Sequence, residues 1–211
     1  MSSLILLIIL SYLMGSLPTA ILVGKALSGI DIREHGSGNA GGSNVFRVLG
    51  WKAGVFVMAV DVFKGFAATY WLPRLLPQDL VAMPSAQLIA GICAIFGHIW
   101  TVFAGFRGGK GVGTAAGMLL ALFPQALLVC FLLFIVVLLA TRIVAAASIT
   151  AAVALPVTLT LFRCQLHKTV PLPLYVFSFF AALLIIYTHR SNIRRMIGGT
   201  ENRFGKPGKT S

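Results

Sequence analysis

The sequence predicts an all-α integral membrane protein with seven transmembrane segments, its N-terminus outside and its C-terminus in the cytoplasm. Of its 211 residues, 58% are hydrophobic and only 10% are charged. Apolar stretches of about 20 residues recur along the chain, the length that crosses a hydrocarbon core. Seventeen Lys and Arg stand against five Asp and Glu, a net charge of +12, and the cations gather between alternate apolar stretches, as cytoplasmic loops do. No polar segment is long enough to fold as a soluble domain, so residues 1–211 are expected to form a single polytopic membrane domain.

Leu4 to Val23 is the first span. Gly15 and Ser16 permit close helix contact, and Pro18 is placed to kink the helix. Met1-Ser2-Ser3 carries no basic residue and no A-x-A site ends the span, so this helix is expected to stay rather than be cleaved. Lys25 to Lys52 is the longest polar stretch, and Lys25, Arg33, Arg47 and Lys52 assign it to the cytoplasmic side. Gly54 to Leu72 is the second span, with Asp61 and Lys64 at i and i+3, where they can pair on one helix face. Each charge costs about 2.5–3.5 kcal/mol at a helix centre, so both should face protein, as a structural pair or a functional one. Residues 73–84, with Pro73, Pro77 and Pro84, form an outer loop, and Ser85 to Phe106 is the third span.

Val112 to Ala140 is too long for an ordinary span, since one helix over it would run about 43 Å at about 1.5 Å per residue. The core is about 30 Å thick, so the stretch is either one tilted helix or two helices broken at Pro124. If it breaks and turns back, Ile143 to Phe162 leads outward and Pro171 to Thr188 returns. Arg190, Arg194, Arg195, Arg203, Lys206 and Lys209 are then cytoplasmic; a single helix would put all of them outside, against the positive-inside rule. The broken form gives the seven segments.

A basic chain could suggest nucleic acid, but in a membrane protein the charge points to anionic lipid or anionic substrates, and no nucleic-acid partner is expected. Cys93, Cys130 and Cys164 lie far apart and make neither a disulfide framework nor a metal spacing. Cys164 is expected in an outer loop, Cys93 and Cys130 in the membrane. No His, Cys, Asp and Glu spacing suggests a metal, and no cofactor is expected.

Three polar constellations carry the chemistry. Residues 97–114, GHIWTVFAGFRGGKGVGT, turn from an apolar helix end into a cationic, glycine-dense loop. Arg107 and Lys110 are point charges, and Gly105, Gly108, Gly109, Gly111 and Gly113 let backbone approach a ligand. Successive backbone N–H groups beside Lys and Arg make an anion site, most naturally for phosphate. A helix starting near Val112 and Thr114 would turn its positive dipole end to the same anion. The loop is not a Walker A motif, because Ala104 and Gly111 stand where Gly and Ser or Thr are needed. Residues 36–47, GSGNAGGSNVFR, meet the G-x-G-x-x-G pattern at Gly36, Gly38 and Gly41, but no strand precedes them and no βαβ unit fits between two spans. Ser37, Asn39, Asn44 and Arg47 put hydroxyl, amide and guanidinium groups on this backbone, suited to hydroxyls and phosphate oxygens. Residues 189–201, HRSNIRRMIGGTE, follow the last span, and His189, Asn192 and Arg195 share a helix face. Glu201 is placed to orient a cation or bind a substrate hydroxyl. His98, at the end of the third span, reads as a helix–helix hydrogen-bond partner. Each loop alone is compatible with a headgroup anchor; all three falling on the cytoplasmic side favours one site.

These three stretches resemble the signature loops of the bacterial acyl-phosphate:glycerol-3-phosphate acyltransferase family, PlsY, and GSLPTAIL in the first span and DVFKG in the second resemble it too. Gly42-Ser43 stands for the usual Ala-Thr, Thr101 for Pro, Arg107 for Lys and Gly113 for Ala; Ser43 keeps the hydroxyl and Arg107 the charge. The resemblance implies transfer of a fatty acyl group from acyl phosphate to the 1-hydroxyl of glycerol 3-phosphate, giving lysophosphatidic acid and phosphate, at a cytoplasm-facing site of the bacterial inner membrane. It implies catalytic roles for Ser37, Arg47, Lys110, His189 and Asn192. Substrate binding falls to Gly36, Gly38, Asn39, Asn44, Arg107, Gly108, Gly109, Gly111, Thr114 and Glu201, and an acyl-phosphate-producing enzyme is a candidate partner. A phosphate-metabolite transporter would place its polar site near the midplane rather than at one face. A lipid-binding scaffold would not need such dense Gly, Ser and Asn.

Overall fold

The computed structural model describes residues 2–75 and 81–204; Pro77 of the expected outer loop, and Lys206 and Lys209 of the tail, lie outside them. Among the described residues the chain is helical without strands: α1 (Ser2–Gly15), α2 (Thr19–Ser28), α3 (Gly42–Leu49), α4 (Trp51–Tyr70), α5 (Leu72–Leu75), α6 (Met83–Ile99), α7 (Val112–Leu122), α8 (Pro124–Thr141), α9 (Val144–Cys164), α10 (Leu172–Thr188) and α11 (Arg190–Ile197). It gathers into two compact units, Met1–Leu122 and Phe123–Ser211.

Five stretches are long and apolar enough to cross a membrane, Ser3–Ser28, Trp51–Leu75, Met83–Ala104, Pro124–Thr141 and Val144–Cys164, and α10 with α11 supplies a sixth if that pair, bent by 60°, counts as one. The stretch from Val112 is broken, as one of the two expected forms required: α7 ends at Leu122, Phe123 leaves the helical region (φ −154°, ψ 72°) and α8 starts on Pro124. Proline suits that place because the first helical N–H has no intrahelical acceptor. At 11 residues, α7 is shorter than a span.

Three boundaries differ from expectation. The first span runs on to Ser28, because Lys25 stays in the helix and its exposed side chain can reach the interface. Part of the first polar loop is helical, as α3. The third span ends its α-helix at Ile99, ahead of a 3₁₀ turn over Val102–Ala104, so Trp100, Val102, Phe103 and Phe106 are apolar residues exposed at its rim.

In the first unit, backbones rather than side chains set the helix spacing. A Cβ on Gly117 would lie 1.9 Å from the Val62 carbonyl oxygen, and one on Gly65 would lie 2.1 Å from that of Thr114, so α4 and α7 touch main chain to main chain. Gly15 and Gly97 do the same for α1 and α6, against Ala94 and Tyr12. Lipid tails compete with apolar side chains, so close packing through small residues holds such a bundle. In the second unit the long apolar side chains of α8, such as Leu128, Phe131, Leu132, Val136 and Leu139, are exposed. Inside it, the Tyr175 hydroxyl of α10 lies 3.0 Å from that of Thr160 on α9.

Candidate active site

A buried amide closes the first polar loop. Asn44 is fully buried in α3. Its Nδ2 donates to the carbonyls of Ile32 (2.9 Å), His35 (2.9 Å) and Asn39 (3.0 Å), and its Oδ1 accepts from the Ser37 N–H (2.8 Å). Those bonds occupy the amide. Gly36 makes room, since a Cβ there would come within 2.4 Å of Asn44 Oδ1, and Gly38 turns the chain at φ +73°. Asn44 therefore holds the loop rather than presenting itself to a substrate, which revises its expected role. Ser37, Asn39 and Arg47 are half-buried, Ser37 and Asn39 on the loop and Arg47 on α3.

The second loop runs back along the end of α6. Phe106 N–H donates to the Thr101 carbonyl (2.8 Å), Gly108 N–H to that of Ile99 (3.0 Å) and Gly109 N–H to that of His98 (3.0 Å). Carbonyls at a helix C-terminus need such partners. The amides of Gly108 and Gly109, expected to face an anion, are thus engaged by α6. Their missing side chains serve the same contact: a Cβ would lie 2.0 Å from the His98 carbonyl oxygen at Gly108 and 2.1 Å from His98 Nε2 at Gly109. Gly111, buried at φ +85°, sits against Ile95 and Ile99. Charge is what the loop offers an anion, through half-buried Lys110 and exposed Arg107. The positive dipole end of α7 begins two residues after Lys110. Thr114 is placed elsewhere than expected. It is fully buried where α7 meets Gly65 of α4, and among the described residues its hydroxyl has no hydrogen-bond partner.

Arg33 ties these two loops together. Its Nη1 donates to the carbonyls of Ala104 (2.8 Å) and Arg107 (3.4 Å), while Nη2 and Nε hold the Asp31 carboxylate, Nη2 at 2.7 Å from Oδ2. Hydrogen bonds from Arg33 lower the Asp31 pKa to about 2, so the clasp stays ionised well into the acid range. From sequence, Arg33 was only a marker of sidedness. The scarcity of acid was the available signal: three of the five carboxylates hold a named cation, Asp31 with Arg33, Asp61 with Lys64 and Glu201 with Arg195.

In the second unit, His189 sits at the bend between α10 and α11, 3% exposed, with Nδ1 2.8 Å from the Ile185 carbonyl oxygen. A carbonyl only accepts, so Nδ1 is a ring nitrogen that carries a proton. Glu201 grips two residues of α11: Asn192 Nδ2 donates to its Oε1 and Arg195 Nε to its Oε2, both at 2.8 Å. The expected helical face is thus closed by a carboxylate that orients it, one of the two roles foreseen for Glu201. The tail is seated farther on, where Phe204 N–H donates to the carbonyl of Arg142, a residue in the left-handed region between α8 and α9.

Residues 5–199 match the Glycerol-3-phosphate acyltransferase family. The chain belongs to it. Glycerol-3-phosphate acyltransferases of Chlorobium phaeobacteroides and Chlorobaculum tepidum are each 44% identical to it, over 98% of this chain and 99% of the first relative, and 94% and 96% for the second. Among solved structures, it is similar to crystal structures of PlsY, an integral membrane glycerol 3-phosphate acyltransferase. The glycerol 3-phosphate form is 38% identical with a TM-score of 0.83, and the lysophosphatidic acid form 37% with 0.81, each covering 96% of both chains. The family match takes in the loops at 36–47 and 97–114 whole; Glu201 stands two residues past its end.

Proposed function

We propose that this chain is a membrane glycerol-3-phosphate 1-O-acyltransferase that uses acyl phosphate as donor. The reading rests on its 38% identity, over 96% of its length, to an acyltransferase solved in a glycerol 3-phosphate form and, at 37%, in a lysophosphatidic acid form. The 1-hydroxyl oxygen attacks the acyl carbonyl carbon, the bond from that carbon to the phosphate oxygen breaks, and the hydroxyl proton leaves with inorganic phosphate. Acyl phosphate is already activated, so the protein's work is positioning and charge stabilisation. Lys110 neutralises the departing phosphate, with Arg107 beside it. Ser37, Asn39 and Arg47 bind phosphate and carbonyl oxygens. His189 and Asn192 orient the glycerol 3-phosphate. The proton goes to the donor's own phosphate oxygen, which is already at the reacting carbon and leaves with it.

The two units act as one domain in this reading, since the family match runs through both. The chain crosses a bacterial cytoplasmic membrane seven times, N-terminus out and C-terminus in, with the site facing the cytoplasm; α7, too short to cross alone, makes the fourth crossing together with the residues at its two ends, and α8 makes the fifth. An acyl-phosphate-producing enzyme is the natural supplier of its donor. Cys164, exposed at the end of α9, then faces outward, while Cys130 is buried in α8. A membrane-impermeant thiol reagent on sealed right-side-out membranes should label Cys164 alone. Labelling only after the inner face is opened would overturn the seven-segment order.

The donor is tested on purified protein with glycerol 3-phosphate and either acyl phosphate or acyl-CoA. Turnover is expected with acyl phosphate and little or none with acyl-CoA. Equal rates would sink the donor assignment, and phosphate transport without acyl transfer would make the chain a transporter.

A further inference from the structure

Pro18 breaks the first span, and the break sets off a chain of contacts that ends at the second loop. Between α1 and α2 the carbonyls of Ser16 and Leu17 lie within a membrane-spanning stretch, where unsatisfied backbone is costly. The Thr101 hydroxyl donates to Ser16, and Lys64 Nζ donates to Leu17 at 3.0 Å. The Lys64 charge is met by Asp61, whose Oδ1 is 2.9 Å away, and the same oxygen lies 3.5 Å from His98 Nδ1. All three side chains are 7% exposed or less. His98 then holds Gly109 from two sides, accepting its N–H at the backbone carbonyl and lying with Nε2 where a Gly109 Cβ would be. Lys110 is the next residue. The cavity beside Leu17, Asp61, Lys64, His98, Thr101 and Gly109 amounts to about 10 Å³, room for no more than a water. The three side chains are buried and this space is too small for a substrate, so any part the network has in the reaction is indirect.

We propose that Asp61, held by Lys64, is a positioning residue that fixes the His98 ring against Gly109 and thereby sets where Lys110 stands in the site. The inference rests on the acyltransferase reading and on the part given there to Lys110. A buried ion pair is weak evidence for stability, because replacing both partners by neutral residues is often neutral. Asp61 and Lys64 are retained, on this view, for what they hold in place.

The test is a double-mutant cycle on the full-length protein, with acyl phosphate and glycerol 3-phosphate as substrates. Asp61→Asn with Lys64→Met removes both charges at little change in volume. The expected result is a protein that unfolds within a few degrees of the parent, with kcat down at least tenfold and KM for both substrates within about threefold. In a Lys110→Met background the same pair of changes should cost less than about threefold, because the group they position is gone. Gly109→Ala is the second route, displacing the His98 ring while leaving the ion pair intact; it should show the same kcat loss and the same disappearance of that loss beside Lys110→Met. A merely structural role predicts lost thermal stability with kcat per folded enzyme unchanged, or equal losses in both backgrounds, and either overturns the proposal. If the neutralised pair fails to fold, the Gly109→Ala cycle decides alone. Normal turnover in Lys110→Met by itself would strike the acyltransferase site assignment instead, so the two failures are distinct.

Discussion

Lys110→Met is expected to lose at least about 10²–10³ in turnover, roughly 2.7–4 kcal/mol of transition-state stabilisation, the usual cost of removing one well-placed group at developing charge. Methionine keeps most of the aliphatic stem, so insertion and thermal unfolding should be unchanged. The engagement of the Gly108 and Gly109 amides by α6 sharpens the expectation, because those two donors are not there to compensate. Lys110→Arg should be intermediate: the charge survives, but a planar fork replaces a compact donor between Gly109 and Gly111, both buried. Steady-state kinetics on both variants, with thermal unfolding as control, decide the matter. A headgroup anchor would behave differently, since Arg would then substitute fully and Met would weaken lipid association instead. Near-normal turnover in Lys110→Met would remove the loop from the active site.

Asn44→Asp is the second large effect, although Asn44 need not touch substrate. The change keeps the size of the side chain and the acceptor that meets the Ser37 N–H. It turns the group that donates to the Ile32, His35 and Asn39 carbonyls into an oxygen facing oxygens, in a fully buried place. The Asn39 carbonyl loses its donor, while those of Ile32 and His35 keep the N–H groups of His35 (3.4 Å) and Gly38 (3.1 Å). Losing the amide's two buried N–H donors at about 1–3 kcal/mol each gives about 3 kcal/mol before any charge repulsion. The loop can open without the bundle unfolding, and 3 kcal/mol of opening corresponds to roughly a hundredfold fewer closed molecules. Turnover should fall at least about that far, with limited change in bundle unfolding and faster amide exchange confined to the loop. Parent-like exchange at Ser37 together with parent-like turnover would show that Asn44 does not organise this loop.

Composition and sidedness made the helical membrane class legible, and the need to keep six basic residues on one side pointed to the break beside Pro124. The pairing of Asp61 with Lys64 was also legible, because helix spacing and the cost of a lone charge in lipid leave few other solutions. The glycines misled. A glycine that admits a phosphate and one that admits a neighbouring carbonyl look the same in sequence; Gly108 and Gly109 turn out to admit His98, and Thr114 turns out to lie in a helix seam. Asn44 was read by its functional groups, which say what it can bond and not whether those bonds are taken. Helix α3 is only eight residues and starts on Gly42-Ser43, so its onset looked like more loop. Arg33 was overlooked because its partners, the Ala104 and Arg107 carbonyls, come from a loop more than 70 positions away.

The glycine seam between α4 and α7 also says how this molecule can change over generations. Where side chains meet, a larger neighbour can be met by a rotamer flip or a smaller partner. Where Gly117 meets the Val62 carbonyl and Gly65 meets that of Thr114, neither adjustment exists, because every residue carries the same backbone. A single added methyl there must push two helices apart, and Asp61, which lies against Gly113 on the same seam, would move with them. The exposed face of α8 is the opposite case, where one apolar residue can follow another with nothing to displace but lipid. Drift in this lineage should therefore run freely along α8 and halt at the seam.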